Sequence, residues 1–254
     1  KKYSKAFNES EISAKKTELK EALHNHTEEL RAAKIEELQT EYNANIATLD
    51  AKKTQLDAQF ASSIFVLTPD DLNVTVSDCT FEGPSADSDV VPVRLKSSSN
   101  FVMENCTASG VFSLLQNTSG WNLTVRNCEV TNAGRGISLD SCQGVLIENV
   151  KIQASNEKYG IRADGAYANT TTIKNCEISA FCPVVVRNAS AAYKLVFDGT
   201  NTMTAANTDG LWCAIGTSEY EANGVMPTAP TAQVTVTLND AGLDPDGVYG
   251  AANL

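Results

Sequence analysis

The chain has 254 residues, a formal net charge of −11 and a pI near 4.7. That balance disfavours nucleic acid and anionic membrane surfaces as partners, and no run of about 18 apolar residues exists to span a membrane. Seven cysteines, an odd number, fit neither paired Cys-x-x-Cys zinc spacing nor a small disulfide scaffold.

Residues 1–66 contain no Gly and no Pro and carry 10 Lys/Arg against 11 Asp/Glu. Lys, Glu, Ala and Leu dominate, all good helix formers. Apolar residues recur at three-and-four spacing, as at Ile12, Leu19, Leu23, Leu30, Ile35, Leu38, Tyr42, Ile46 and Leu49. The register slips after Leu30 and after Tyr42, which reads as stutters in a coiled coil or as the corner of an antiparallel helical hairpin near Asn43–Asn45. Such a helix cannot bury its stripe alone, so homo-oligomerisation through it is the expected partnership. His24 and His26, the only histidines, lie here. The chain opens at Lys1, and a signal or anchor is expected to have preceded it.

After Pro69 the apolar period changes to two and strands begin. The segments "NVTVSDCTF", "FVMENCTA", "LTVRNCEV", "VLIENVKI" and "TTIKNCEI" align Cys79, Cys106, Cys128, Val150 and Cys176 in one column. Asp78, Asn105, Asn127, Asn149 and Asn175 fill the column before it. A second strand follows in every unit, as in "PVRLKSSS", "GISLDSC" and "PVVVRNAS". A fixed period of about 20 to 30 residues without helical stretches predicts a β-solenoid. Asn tolerates the left-handed backbone of a tight bend, and stacked amides can hydrogen-bond from coil to coil. A Cys just after the bend supplies a small apolar side chain for a narrow corner. The columns predict architecture: a structural ladder of Asn105, Asn127, Asn149 and Asn175 beside Cys79, Cys106, Cys128 and Cys176.

Residues 70–218 resemble the right-handed parallel β-helix proteins, the pectin-lyase-like superfamily, in coil length, Asn column and inward apolar columns. That resemblance implies a fold shared by pectin-degrading enzymes, phage tailspikes and bacterial surface adhesins, and it is nearer to the non-enzymatic members. "NTDG", Asn207–Gly210, looks like the first motif of polygalacturonases. The Asp-Asp pair, Gly-His-Gly and Arg-x-Lys of that family do not follow it. A lone acid cannot hydrolyse a glycoside by the two-carboxylate route, so a turn is expected there and no catalytic residue is assigned.

The second strands place Lys96, Leu115, Asp140, Asp164 and Arg187 in one outward column, with Arg162 in the next. Asp140 and Asp164, one coil apart, would lie close enough to share a cation or to perturb each other's pKa. Lyases of the resembled fold pair such acids with calcium and an Arg base. The other reading is a ladder of solvated charges, screened by Arg162 and Arg187. These four residues are the candidate glycan or cation contacts. No metal or cofactor is expected, and calcium enters only under the enzymatic alternative.

The chain is thus expected to be mainly β: a helical stalk (1–66), a parallel β-helix of about six coils (67–218), and a cap and tail (219–254) with one strand, Gln233–Leu238. The expected function is a non-enzymatic fibre or surface protein, extracellular or on a virion, whose β-helix is a rigid, glycan-directed body. The alternative is a divergent polysaccharide lyase or glycoside hydrolase. Eight Asn-x-Ser/Thr sequons, at Asn8, Asn25, Asn73, Asn105, Asn117, Asn122, Asn169 and Asn188, read as a product of composition rather than as glycan acceptors.

Overall fold

A computed structural model of the chain describes residues 9–60, 63–67, 73–164, 169–188, 192–229 and 234–254. The chain divides after Ala58 into two compact units.

The first unit holds all but the last two residues of α1, Glu9–Phe60, a helix of 52 residues without a break and about 78 Å long at 1.5 Å per residue. The helical hairpin is therefore excluded over these residues. Nothing at Asn43–Asn45 can break the helix, because neither Gly nor Pro is present. Gln39 Nε2 donates to Asn43 Oδ1 at 3.1 Å, and Thr48 Oγ1 donates to the Ala44 carbonyl at 2.9 Å. Helix was also expected as far as residue 66, and this is corrected. Residues 1–8 and 61–62 lie outside the described residues, and Ser63–Leu67 is a strand, paired in parallel with Val91–Leu95. Its β-branched and aromatic composition suits a pleated surface better than a helix. Among the described residues no helix is long and apolar enough to cross a membrane.

The second unit is the parallel β-solenoid. Each coil has three strands where the sequence suggested two: in the third coil they are Gly120–Arg126, Glu129–Ala133 and Ile137–Leu139. Equivalent strands stack into three parallel sheets, here called B, C and A in the order the chain visits them within a coil, with seven, six and eight strands on their main paths. The bend at the Asn column separates B from C, and this corner hid a strand boundary inside what looked like one strand.

The register carries the Cys column. Thr80 pairs with Thr107, Thr107 with Glu129, Glu129 with Lys151 and Lys151 with Glu177. Cys79, Cys106, Cys128, Val150 and Cys176 are therefore neighbours, about 4.8 Å apart. Cys106, Cys128 and Cys176 are buried and all seven cysteines are free thiols. Burial pushes the Cys128 and Cys176 thiols up to about 11, so they remain neutral and act as small apolar side chains.

Asp78, Asn105, Asn127, Asn149 and Asn175 all have φ between 52° and 55°. Asn105 Nδ2 donates to Asp78 Oδ1, Asn127 to Asn105 and Asn149 to Asn127, each at 3.2 Å. Gly199 takes the next place at φ 73°, where a Cβ would stand only 2.1 Å from Asn175 Oδ1. A second ladder, not anticipated, lies where sheet A turns into sheet B. Asn100 Nδ2 donates to Asn73 Oδ1 and Asn122 Nδ2 to Asn100 Oδ1, both at 2.8 Å. The amides of Asn105 and Asn122, two of the sequon positions, are thus engaged within the fold.

The tail was expected to plug the last coil, and it does more by beginning another. Thr235–Leu238 extends sheet B beside Lys194–Asp198, and Val248–Tyr249 extends sheet A beside Cys213–Ile215; Gln233 lies outside the described residues. Asp240 fixes this turn by accepting from Asn201 and from Gly242 N. Burial works to raise its pKa, but the donated N–H bonds outweigh it and the net direction is down. Trp212 packs edge-on against Phe197 at 4.9 Å and donates Nε1 to the Asp244 carbonyl at 2.8 Å.

Asn127→Ala should lower the unfolding free energy by about 2–3 kcal/mol, because a left-handed Ala costs about 1–2 kcal/mol and both neighbouring amides lose a partner. Asn127→Gly keeps the conformation and should cost less. Urea unfolding followed by circular dichroism checks the order; equal losses would show that backbone strain plays no part.

Candidate functional site

The sequence placed its candidate residues on the second strand of each coil, and sheet A carries them. Ser138 pairs with Arg162 and Leu139 with Ala163, so Asp140 aligns with Asp164, which in turn pairs with Arg187. One member of the expected column is corrected. Leu115 pairs with Val93 and Ile137 and is fully buried; Thr118 holds the place between Lys96 and Asp140. Leu114 and Leu115 both point inward because Ser113 accommodates the bend, its hydroxyl donating to the Leu115 and Gly136 carbonyls. Alternation fails there, and counting by twos goes astray.

Asp140, Arg162, Asp164 and Arg187 do come together, but not as an open charge ladder. Arg162 Nη2 donates to Asp140 Oδ1 at 2.7 Å and Arg187 Nη2 to the same oxygen at 3.2 Å. Arg187 Nε lies 3.7 Å from Asp164 Oδ2, which also accepts from Asn188 Nδ2 at 3.0 Å. The carboxylates are therefore held by guanidinium and amide groups, and the side chain of Asp164 is only 11% exposed. The premise of solvated, weakly held acids is corrected. The pair does not fit a calcium ion, whose oxygen ligands must be available to it. Among the described residues no cluster of three His, Cys, Asp or Glu is arranged as a metal site.

What the sequence did not reveal is the segment covering this face. Glu219 Oε1 accepts from Arg162 Nη1 at 2.5 Å and from Arg187 Nη1 at 2.9 Å. Glu221 binds Arg135 at 3.0 Å and Lys158 at 2.6 Å, and Ala222 N donates to the Glu157 carbonyl. Between the two acids Tyr220 is buried against Phe181, ring centroids 5.1 Å apart, and its hydroxyl donates to Asp209. Arg135 lies over the rings of Phe112 and Tyr159, and Arg162 over Tyr159. Residues 219–222 form a strap pinned by ion pairs to four cations from three coils. Burial works to raise the Glu221 pKa, but the Lys158 hydrogen bond and the Arg135 and Lys158 charges outweigh it, and the net direction is down.

The "NTDG" stretch sits in a turn leading back to sheet A. Asn207 Nδ2 donates to the Phe181 and Leu211 carbonyls, and its Oδ1 accepts from Leu211 N. Its Asp209 receives the Tyr220 hydroxyl, so the motif anchors the strap. Cys182 is pushed up to about 12 by burial, and burial likewise raises Cys142 and Cys213; none is poised as a thiolate nucleophile. Among the aromatic residues of the solenoid, Trp212, Tyr159 and Tyr220 are buried. Trp121 is 53% exposed.

Residues 109–214 match the family model described as a right handed beta helix region. The match covers less than half of the chain and falls on coils whose parallel three-sheet register is given above, and together they support the β-helix superfamily. No curated protein and no solved structure matches the chain.

Because the Glu221 pKa is lowered in the folded state, its contribution is present above the ordinary carboxylate range and is lost as the pH falls through the folded value. Glu221→Gln should reduce stability at pH 7 by about 1–2 kcal/mol, a charged hydrogen bond discounted for partial exposure. It should also flatten the fall in stability between neutral and acid pH. Urea midpoints at both pH values check this; an unchanged pH slope would show that the strap's ion pairs contribute nothing.

Proposed function

We propose that the protein is a non-enzymatic fibre or surface protein in which α1 associates with copies of itself and the solenoid is a rigid, glycan-directed body. The observation that carries this reading is the helix's uncovered stripe. Ile12, Leu19, Leu23, Leu30, Ile35, Leu38, Tyr42, Ile46 and Leu49 are 40–68% exposed along one helix with no Gly or Pro. Large apolar side chains left in water in two stretches, Ile12–Leu30 and Ile35–Leu49, offset by the register slip between them, call for partner helices. The flanks suit like-with-like pairing: Lys15–Glu18, Arg31–Glu28 and Lys34–Glu37 balance charge along the helix itself. A second copy of this chain is therefore the occupant.

The coils support the non-enzymatic part. The Asp140–Asp164 pair is tied to arginines, six of the seven thiols are buried, and both histidines lie in α1. A parallel solenoid with ladders at two corners is stiff, which suits display or spacing. An extracellular, cell-surface or virion setting belongs to the same proposal.

Light scattering on the full chain should give an integer multiple of 27.1 kDa at tens of micromolar, and Leu23→Lys with Leu30→Lys should bring the mass down to the monomer with strand content unchanged. A monomeric unaltered protein would overturn the stalk. Ultraviolet-absorbing unsaturated sugar released from pectin by the unaltered protein would overturn the non-enzymatic reading in favour of a lyase.

A further inference from the structure

The solenoid changes its repeat at one corner, where Gly144 N donates to Asn169 Oδ1 at 2.8 Å and the Asn169 amide donates to the Cys142 carbonyl. Where sheet A turns into sheet B, the left-handed position is Asn73, Asn100 and Asn122 in successive coils, and then Gly144, at φ 66°. The three Asn show that a side chain is compatible with this backbone. A Cβ on Gly144 would meet Asn122 Oδ1 at 3.2 Å, a contact that a side-chain amide can yield to with a small shift. Glycine here leaves a notch.

Trp121 stands beside the notch. It is 53% exposed, whereas Trp212, the other tryptophan, is 5% exposed. Gln143 is its partner in the next coil. Beyond Gly144 the same row continues through Thr170 to Lys194. Gln143, Gly144, Asn169, Thr170 and Lys194 line an open groove of about 400 Å³. Among the described residues, the Gln143 amide, the Thr170 hydroxyl and the Lys194 ammonium have no hydrogen-bond or ion-pair partner in the fold.

We propose that Trp121 and this groove form a subsite for an uncharged polysaccharide, running along the solenoid axis. The proposal rests on the glycan-directed reading above and gives it a place. An exposed indole face is an apolar platform with a wet rim, suited to the C–H face of a sugar ring. Unpaired amide, hydroxyl and ammonium groups on three successive coils, Thr170 and Lys194 being register partners about 4.8 Å apart, offer hydrogen bonds to the sugar hydroxyls. The net charge of −11 repels a polyuronate, so the ligand class is uncharged.

Affinity electrophoresis of the full chain through gels containing xyloglucan, galactomannan, dextran or polygalacturonate tests this. At least one uncharged polymer should retard the unaltered protein. Trp121→Ala should weaken that retardation by at least about tenfold, equivalent to about 1.4 kcal/mol. Gly144→Asn should weaken it similarly by filling the notch while keeping the melting temperature, since Asn suits the corner. If both variants are retarded like the unaltered protein, the subsite falls and the glycan-directed reading stands. If no polymer retards the unaltered protein, both fall. Retardation by polygalacturonate alone would overturn the uncharged class, and a lower oligomer mass for Trp121→Ala would assign the face to contact between copies instead.

Discussion

Parallel, in-register stacking is the constraint on which the solenoid depends. Every residue sits about 4.8 Å from its counterpart in the next coil, so each position must tolerate a copy of its own kind above and below. Apolar side chains do so inside, where Val93, Leu115, Ile137, Ile161 and Val184 form a continuous fully buried column. Amides do so at the corners, because one amide carries both donor and acceptor and a row of them satisfies itself. Like charges do not. On the outer face of sheet B the sign alternates from Glu104 to Arg126, Glu148, Lys174 and Asp198, with contacts of 2.5 Å at Arg126–Glu104 and 2.9 Å at Lys174–Glu148. A slip by one coil would set like charges opposite each other, so this column helps to fix the register.

Asp140 stacked on Asp164 violates that rule, and the remedy comes from elsewhere in the chain. Two guanidinium groups balance the two adjacent acids, and Glu219 accepts from the Nη1 groups that Arg162 and Arg187 have left over. The sheet A cluster is thus a compensated fault in the stacking pattern. In the resembled enzymes an acid pair on neighbouring coils means chemistry; here the same spacing is balanced by Arg162 and Arg187, which the strap's Glu219 in turn holds in place.

The difference between local and distant partners explains how much could be read from the sequence. The Cys and Asn columns were legible because one corner imposes one backbone conformation and few residues accept it. The Asn73–Asn100–Asn122 ladder obeys the same physics, but three members ending in Gly144 are too short a repeat to stand out. The third strand of each coil was hidden because the Asn bend leaves the apolar alternation almost undisturbed across it. Leu115 was misplaced where two adjacent leucines both face inward. The strap could not be read at all, since the pairing of Glu221 with Arg135 spans 86 positions and no periodicity connects them. Along α1 the register slips suggested a corner, yet a helix lacking Gly and Pro has no physical reason to turn at Asn43–Asn45.

Repetition also indicates where function can reside. A side chain that recurs in every coil is accounted for by stacking, and its presence carries little information about ligands. Departures from the column carry more, because the fold gains nothing from them. The Asp140–Asp164 departure is offset by ion pairs and therefore adds to the scaffold. Trp121 and Gly144 differ from it: the indole stays in water, and at Gly144 the ladder amide gives way to Asn169, whose Oδ1 accepts from Gly144 N. That they lie side by side in adjoining coils, rather than scattered among the faces, is the physical argument for looking at this corner before the more highly charged face of sheet A.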